Sequence, residues 1–285
     1  MVATPPCSIS HWVDQLQLMK RRFYSLCLIS TLWILTACAP SVSPAPVSTP
    51  LVLMQGCNET GQALDGKVEE TARGYAYDFK IYLPPCYEDQ LETRYPVFYL
   101  VPGRGGGHGA WFAAGLNTIA DDLILGQKMP PFIMVTTGNT DNDPQATTIY
   151  DDLIPYIDGQ YRTLAERTYR AAAGGSLGGI AAYRLGFAHP ESFSSVGMFG
   201  SGAISGEEKQ IRAWLEAVPS NMDLRVFMDT GEGDPLMLDR ARVMASLLDE
   251  YSVPHVLHVG DGGHTYDYWA SNFEMYFLWV AEGWQ

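Results

Sequence analysis

Apolar positions along this chain fall into short runs set between glycine- and proline-rich stretches. Residues 74–83 (Gly-Tyr-Ala-Tyr-Asp-Phe-Lys-Ile-Tyr-Leu) alternate in polarity and are rich in aromatics, the pattern of an antiparallel strand, and Pro84-Pro85 ends it. Residues 97–101 (Val-Phe-Tyr-Leu-Val) and 132–136 are nearly unbroken apolar runs, as in strands buried on both faces. Further short strands are predicted over 169–173, 196–199, 224–229 and 256–259. Wider apolar spacing predicts helices over 116–128, 150–161, 177–189, 207–215, 235–250 and 266–280. Strands that alternate with helices predict an α/β domain with a mostly parallel sheet covered by helices on both faces. In such sheets, reactive residues collect at the carboxyl ends of the strands.

The first residues have a different pattern. Lys20, Arg21 and Arg22 precede an apolar stretch over 23–39, shorter than the roughly 20 residues that span a bilayer. A basic cluster before a short apolar segment reads as an export signal over residues 1–38, with Met19 as a candidate true start. Leu35-Thr36-Ala37-Cys38 resembles the lipobox of bacterial lipoproteins, which makes Cys38 the expected lipidation site. A cleaved secretory signal or an anchor helix is the alternative. Residues 39–55 are rich in Pro and Ser and read as a linker. Residues 56–285 then form the folded domain, expected to be exported and held on a membrane surface, at the cell surface or in the periplasm. Of five cysteines, only Cys57 and Cys86 fall in this domain. In an exported chain the two are expected to form a disulfide, with two buried thiols as the alternative.

Composition narrows the class of function. The 285 residues are 47% hydrophobic and 18% charged, with a formal net charge of −14. An acidic chain repels phosphate backbones, so nucleic acid is not an expected partner.

The candidate chemistry starts at Gly174-Gly175-Ser176-Leu177-Gly178-Gly179, which contains G-x-S-x-G. The pattern is weak alone, but here it follows a predicted strand and opens a predicted helix, the setting of a nucleophile elbow. Ser176 needs a base to attack at neutral pH. Among six histidines, His264 is the last in the chain and follows a strand and a glycine loop, as the order Ser, Asp or Glu, His requires. His108, in the first glycine-rich loop, is a possible substrate contact. The acid should follow the strand at 224–229, where Asp234 stands before Pro235; capping the next helix is its alternative role. Glu232, Asp229 and Asp261 compete for the role. An oxyanion hole would combine the N–H of Leu177 with one from Pro102-Gly103-Arg104-Gly105-Gly106-Gly107, at Arg104 or alternatively Gly103. A phosphate-cradling reading of that loop lacks the Gly-Lys-Ser/Thr that should follow.

From about residue 73 to 283 the chain resembles the putative-esterase family, which includes esterase D-like hydrolases, enterochelin esterases, feruloyl esterase domains and mycolyl-transferase antigens. The resemblance rests on Gly103-Arg104-Gly105-Gly106 with Trp111, on Asp152-Leu153-Ile154-Pro155-Tyr156-Ile157 and on the Ser176 motif. Gly233-Asp234 and Gly262-Gly263-His264-Thr265-Tyr266-Asp267-Tyr268-Trp269 complete it. It implies an α/β-hydrolase fold, a Ser176–Asp234–His264 triad, and no metal or cofactor. Pro102 departs from the family, many of whose members carry His there. The expected activity is carboxylic-ester hydrolysis through an acyl-enzyme, with feruloylated or acetylated polysaccharide as one substrate class. A siderophore esterase and an acyltransferase on the same triad are the alternatives, and a non-catalytic binding module is a third. Trp111, Tyr266 and Trp269 are candidate substrate-binding residues, with core packing the expected role of at least one.

Overall fold

A computed structural model describes residues 56–72, 74–138 and 145–284. Cys38, the expected signal and most of the linker lie outside the described residues. The chain runs β1 (Gln62–Val68), β2 (Tyr77–Leu83), β3 (Val97–Val101), α1 (Ala110–Ala113), α2 (Leu116–Leu125) and β4 (Ile133–Thr137). It continues with α3 (Gln145–Thr148), a π-helical turn (Ile149–Leu153), α4 (Ile154–Gln160), β5 (Arg170–Gly175), α5 (Leu177–Ala188) and β6 (Ser195–Phe199). Then come α6 (Glu208–Ala217), β7 (Arg225–Gly231), α7 (Pro235–Glu250), β8 (His255–Gly260), α8 (Tyr266–Ser271) and α9 (Phe273–Glu282).

The strands form one eight-stranded sheet in the order β1-β2-β4-β3-β5-β6-β7-β8. β1 and β2 pair antiparallel, as do β2 and β4; all later neighbours are parallel. β3 has β4 on one side and β5 on the other, so successive crossovers depart to opposite sides of it. Such a switch point opens a crevice beyond the carboxyl ends of the strands. The loop after β3 and the turn after β5 both face that crevice.

The five residues of β3 and of β4 are all buried, which explains their unbroken apolar runs. One face of the sheet packs Phe98, Leu100, Trp111, Phe132, Phe273 and Phe277. The opposite face packs Phe79, Tyr99, Ile133, Ile157, Leu185 and Phe193. Each such side chain, fully buried, contributes about 1.5–3 kcal/mol before its entropy is counted.

Besides the short helices α1 and α3, which were not read, three elements differ from the reading of the sequence. β1 was not anticipated, because its residues are mostly exposed and polar and it is held by its pairing with β2 rather than by an apolar face. The helix expected over 150–161 contains a wide turn just before Pro155. That proline has no N–H for the carbonyl one turn back and its ring crowds it, so the chain widens there instead of continuing as a regular helix. The helix expected over 266–280 is two helices, broken at Asn272.

Cys57 and Cys86 are joined as a disulfide across 29 residues of chain. Closing such a loop stabilises the fold by about 3.5 kcal/mol in the chain-entropy account. Nearby, Asp121 accepts from Gly61 N–H at 2.7 Å and from the buried Tyr82 hydroxyl at 2.8 Å, which fixes the entry to β1. Asp152 accepts from Ala72 N–H at 2.7 Å and ties the β1–β2 connection to the wide turn. Among the described residues, no helix is long and apolar enough to cross a membrane.

Candidate active site

Ser176 stands between the last residue of β5 and the first of α5, with φ 54° and ψ −118°. A left-handed φ on a non-glycine residue costs about 1–3 kcal/mol and persists only where its surroundings hold it. The clamp here is main chain against main chain. A Cβ on Gly174 would lie 2.3 Å from the Gly178 carbonyl carbon, and one on Gly178 would lie 2.1 Å from the Val101 oxygen. Only glycine at both positions lets β5, α5 and β3 close around the serine. Ser176 N–H donates to Phe199 C=O at 2.8 Å, so the turn is also tied to the end of β6.

His264 lies in the loop between β8 and α8. Its Nδ1 is 2.6 Å from Asp234 Oδ2. A carboxylate can only accept, so Nδ1 carries the proton and Nε2 is the ring nitrogen left for proton transfer. Asp234 Oδ1 accepts from Met237 N–H at 3.4 Å, so the residue caps α7 while it holds the imidazole. The two roles read from the sequence as alternatives coexist on its two oxygens.

Contacts through Gly200 bring the histidine to the serine turn. Gly200 follows Phe199, which receives the Ser176 N–H. A Cβ on Gly200 would lie 3.1 Å from His264 Nδ1 and 3.0 Å from Trp269 Cζ2. Trp269 also packs edge to face on His264, with ring centroids 5.3 Å apart, and comes within 3.0 Å of the Cβ position of Gly175.

The loop after β3 closes the other side. A Cβ on Gly103 would sit 3.4 Å from Ser176 Cβ, so the loop and the serine turn meet there. Gly106 N–H donates to Gly103 C=O at 3.0 Å, which folds Arg104 into a tight turn. Leu177 is the first residue of α5, where main-chain N–H groups have no acceptor within the helix. Tyr266 reaches the same loop: its hydroxyl lies 2.7 Å from the Cβ position of Gly106. Burial pushes that hydroxyl above its ordinary range, and the Gly103 main chain partly offsets the effect.

Of the three candidate substrate-binding residues, two take the core-packing role expected of at least one. Trp111 is 0% exposed and Trp269 is 2% exposed. Neither presents a surface to a ligand. Both belong to the core, ring against ring at 5.6 Å, and form the floor beneath Gly175. Only Tyr266 of the three is partly exposed, and it packs on Trp111 at 5.1 Å.

The other described histidines have other partners. His108 Nε2 lies 3.3 Å from Asp65, and its carbonyl accepts from Thr136. His189 stacks on Tyr150 at 3.5 Å, and His255 Nδ1 lies 3.0 Å from Val253 O. His258 Nδ1 is 2.7 Å from Asp229 Oδ1. Glu232 and Asp261 are exposed, and Asp229 is fully buried. Asp229 also accepts from the hydroxyls of Tyr268, at 2.7 Å, and Tyr276. This cluster was missed in the sequence. The signal was a carboxylate inside an otherwise apolar buried strand, which must find donors.

The sequence model of the family described as Putative esterase matches residues 71–279. The endo-1,4-beta-xylanase/feruloyl esterase of Xylanibacter ruminicola is 33% identical over 144 residues, 45% of this chain and 20% of that protein. The chain thus spans about a fifth of the length of that curated relative. A solved ferulic acid esterase superposes with a TM-score of 0.71 at 23% identity, over 80% of this chain and 100% of that one. The ferulic acid esterase of Anaeromyces mucronatus bound to ferulic acid gives 0.67 at 14% identity, over 81% and 95%. The S-formylglutathione hydrolase of Agrobacterium tumefaciens gives 0.63 at 14%, over 80% and 98%. At these identities the structural likenesses speak to the fold.

Proposed function

The chain belongs to the putative esterase family and has the α/β-hydrolase fold, and from that premise we propose that it hydrolyses carboxylic esters with Ser176, His264 and Asp234. The observation that carries the reading is the Asp234–His264 hydrogen bond of 2.6 Å, held against the strained serine turn through Gly200. Ser176 Oγ attacks the ester carbonyl carbon while His264 Nε2 takes its proton. The carbonyl π pair moves to oxygen, and the N–H groups of Leu177 and Arg104 receive that oxyanion. The C–O bond to the alcohol then breaks, and His264 returns the proton to the departing oxygen. Water, deprotonated by the same nitrogen, attacks the acyl-enzyme; the acid leaves and Ser176 recovers its proton. Asp234 fixes the tautomer that makes Nε2 the base and stabilises the imidazolium.

The substrate class proposed is a hydroxycinnamoyl ester on a plant polysaccharide. Its support is the feruloyl esterase named in the curated relative and the ferulic acid esterases among the structural neighbours. Residues 56–285 act as one catalytic domain. The basic-apolar segment and Cys38 would deliver it outside the cell and hold it by a lipid; the mass of the mature N-terminus tests that.

The test of the activity is hydrolysis of p-nitrophenyl acetate and methyl ferulate by wild type and Ser176→Ala. Wild type should turn over both, and the variant should lose about 10⁴-fold or more in kcat. Equal activity in the two proteins would overturn the assignment.

A further inference from the structure

We propose that Asp229, which lies outside the triad, is a positioning residue for the triad's acid and base; the inference rests on the Ser176–His264–Asp234 reading. Asp229 ends the apolar part of β7 and is 0% exposed. No lysine or arginine pairs with it among the described residues. Instead Oδ1 takes the Tyr268 hydroxyl at 2.7 Å and faces His258 Nδ1 at 2.7 Å, while Oδ2 takes the Tyr276 hydroxyl. Burial, reinforced by the adjacent carboxylate, pushes both tyrosine hydroxyls well above their ordinary range, so they stay protonated and donate. A buried carboxylate with three donors is a rigid node.

Two routes lead from this node to the triad. The first runs through the Tyr268 ring. A Cβ on Gly262 would lie 2.2 Å from Tyr268 Cδ2, so the loop that carries His264 is folded directly over that ring. Tyr268 N–H also donates to Thr265 Oγ1 at 3.2 Å, and Thr265 is the neighbour of His264. The same loop reaches the acid, because Gly262 C=O accepts from Gly233 N–H at 2.7 Å, next to Asp234. The second route is main chain: Gly200 N–H donates to Asp229 C=O at 2.6 Å, and Gly200 lies against the imidazole. Tyr276 differs from Tyr268 in where it leads. It sits on α9 and touches neither the His264 loop nor the Asp234 loop through any contact described; it reaches the serine turn by its ring, stacked at 3.8 Å on Phe199, whose C=O takes the Ser176 N–H, and Tyr276→Phe keeps that ring.

That difference makes the test. Tyr268→Phe and Tyr276→Phe each keep the ring and delete one hydroxyl from the same carboxylate. The full-length protein is labelled with a fluorophosphonate to count reactive serines, and kcat per labelled site and KM are measured on p-nitrophenyl acetate. Tyr268→Phe should lower kcat per site by about 10- to 100-fold, the scale of a slightly misplaced catalytic group, with KM nearly unchanged. Tyr276→Phe should lower the melting temperature but leave kcat per site and KM near wild type. Equal kcat per site in the two variants, or a change confined to KM, would overturn the positioning role. Should wild type take no label while it hydrolyses the ester, the Ser176 reading falls and this inference with it. Labelled wild type with matched variants removes the inference alone.

Discussion

β7 and β8 carry one Asp–His pair and the loops after them carry another; the two look alike and differ in almost everything around them. Asp234–His264 is 2.6 Å long and Asp229–His258 is 2.7 Å long. The two imidazoles are equally exposed, at 36% and 37%. The carboxylates are not: Asp234 keeps 12% of its side-chain surface and Asp229 keeps none. Asp229 spends its oxygens on two tyrosines and a histidine, whereas Asp234 serves one histidine and one helix N-terminus. His264 rests on Gly200, whose neighbour Phe199 receives the Ser176 N–H; His258 stays in the ladder of an edge strand. The lesson is that an Asp–His distance alone does not identify a catalytic base. The pairs differ in what lies against the imidazole, which for His264 is Gly200, beside the Ser176 turn.

The largest expected effect separates the two histidines. His264→Gln should lower kcat by about 10⁶-fold, the scale seen when a triad base is removed. His258→Gln, assayed beside it on p-nitrophenyl acetate, should lose no more than a few-fold. A comparable loss in both would erase the distinction between the pairs. Next come the acids. Asp234→Asn should lower kcat by about 10⁴-fold, because an amide can stabilise the wrong tautomer, with little change in melting temperature. Asp229→Asn should act first on stability: an amide NH₂ turned toward the tyrosine hydroxyls leaves buried donors unpaired, at about 1–3 kcal/mol in urea unfolding. A stable Asp229→Asn protein would mean that the node is less closed than its geometry.

The two tyrosines on Asp229 bring a pH dependence of stability. Tyr268 and Tyr276 have folded-state pKa values raised by burial and by Asp229. A raised value means that their contribution is fully present below the unfolded tyrosine pKa of about 10 and is lost as pH rises beyond it. Urea midpoints should therefore hold up to about pH 10 and then fall. Tyr276→Phe should flatten that fall, and an unchanged alkaline slope in the variant would place the titration elsewhere.

Much of this arrangement was legible in the sequence, for local reasons. The Ser176 turn is a strand, a glycine-spaced motif and a helix in immediate succession, so contact rules and chain order coincide. Asp234 and His264 each follow a strand whose apolar run is readable. The parts that were not legible depend on partners far along the chain. The Asp229 node gathers side chains 29, 39 and 47 residues away, and nothing local in Tyr268 or Tyr276 marks them as donors. β1 has too little apolar alternation to be read without its neighbour. Core packing was expected for at least one of Trp111, Tyr266 and Trp269, and it holds for the two tryptophans; residue type and proximity to a motif do not say on which side of the turn a ring lies. Burial decides that, and it is a property of the packed sheet.

The smallest effect bears on the double use of Asp234. Its Oδ2 holds His264, and its Oδ1 caps α7 through Met237 N–H. Asn is as good an N-cap as Asp, whereas Ala has no acceptor and costs about 1 kcal/mol at such a position. Asp234→Asn and Asp234→Ala should therefore be similarly inactive, since both remove the carboxylate from the imidazole. They should differ in stability, with the Ala variant lower by about 1 kcal/mol in urea unfolding. Pro235 at the first turn of α7 needs no N–H partner, so the loss falls on the Met237 donor alone. Equal stability in the two variants would assign the 3.4 Å contact no weight and leave Asp234 with its proposed role at the imidazole only. No such split is expected at Asp229, which caps no helix, so activity and stability separate cleanly at one acid and not at the other.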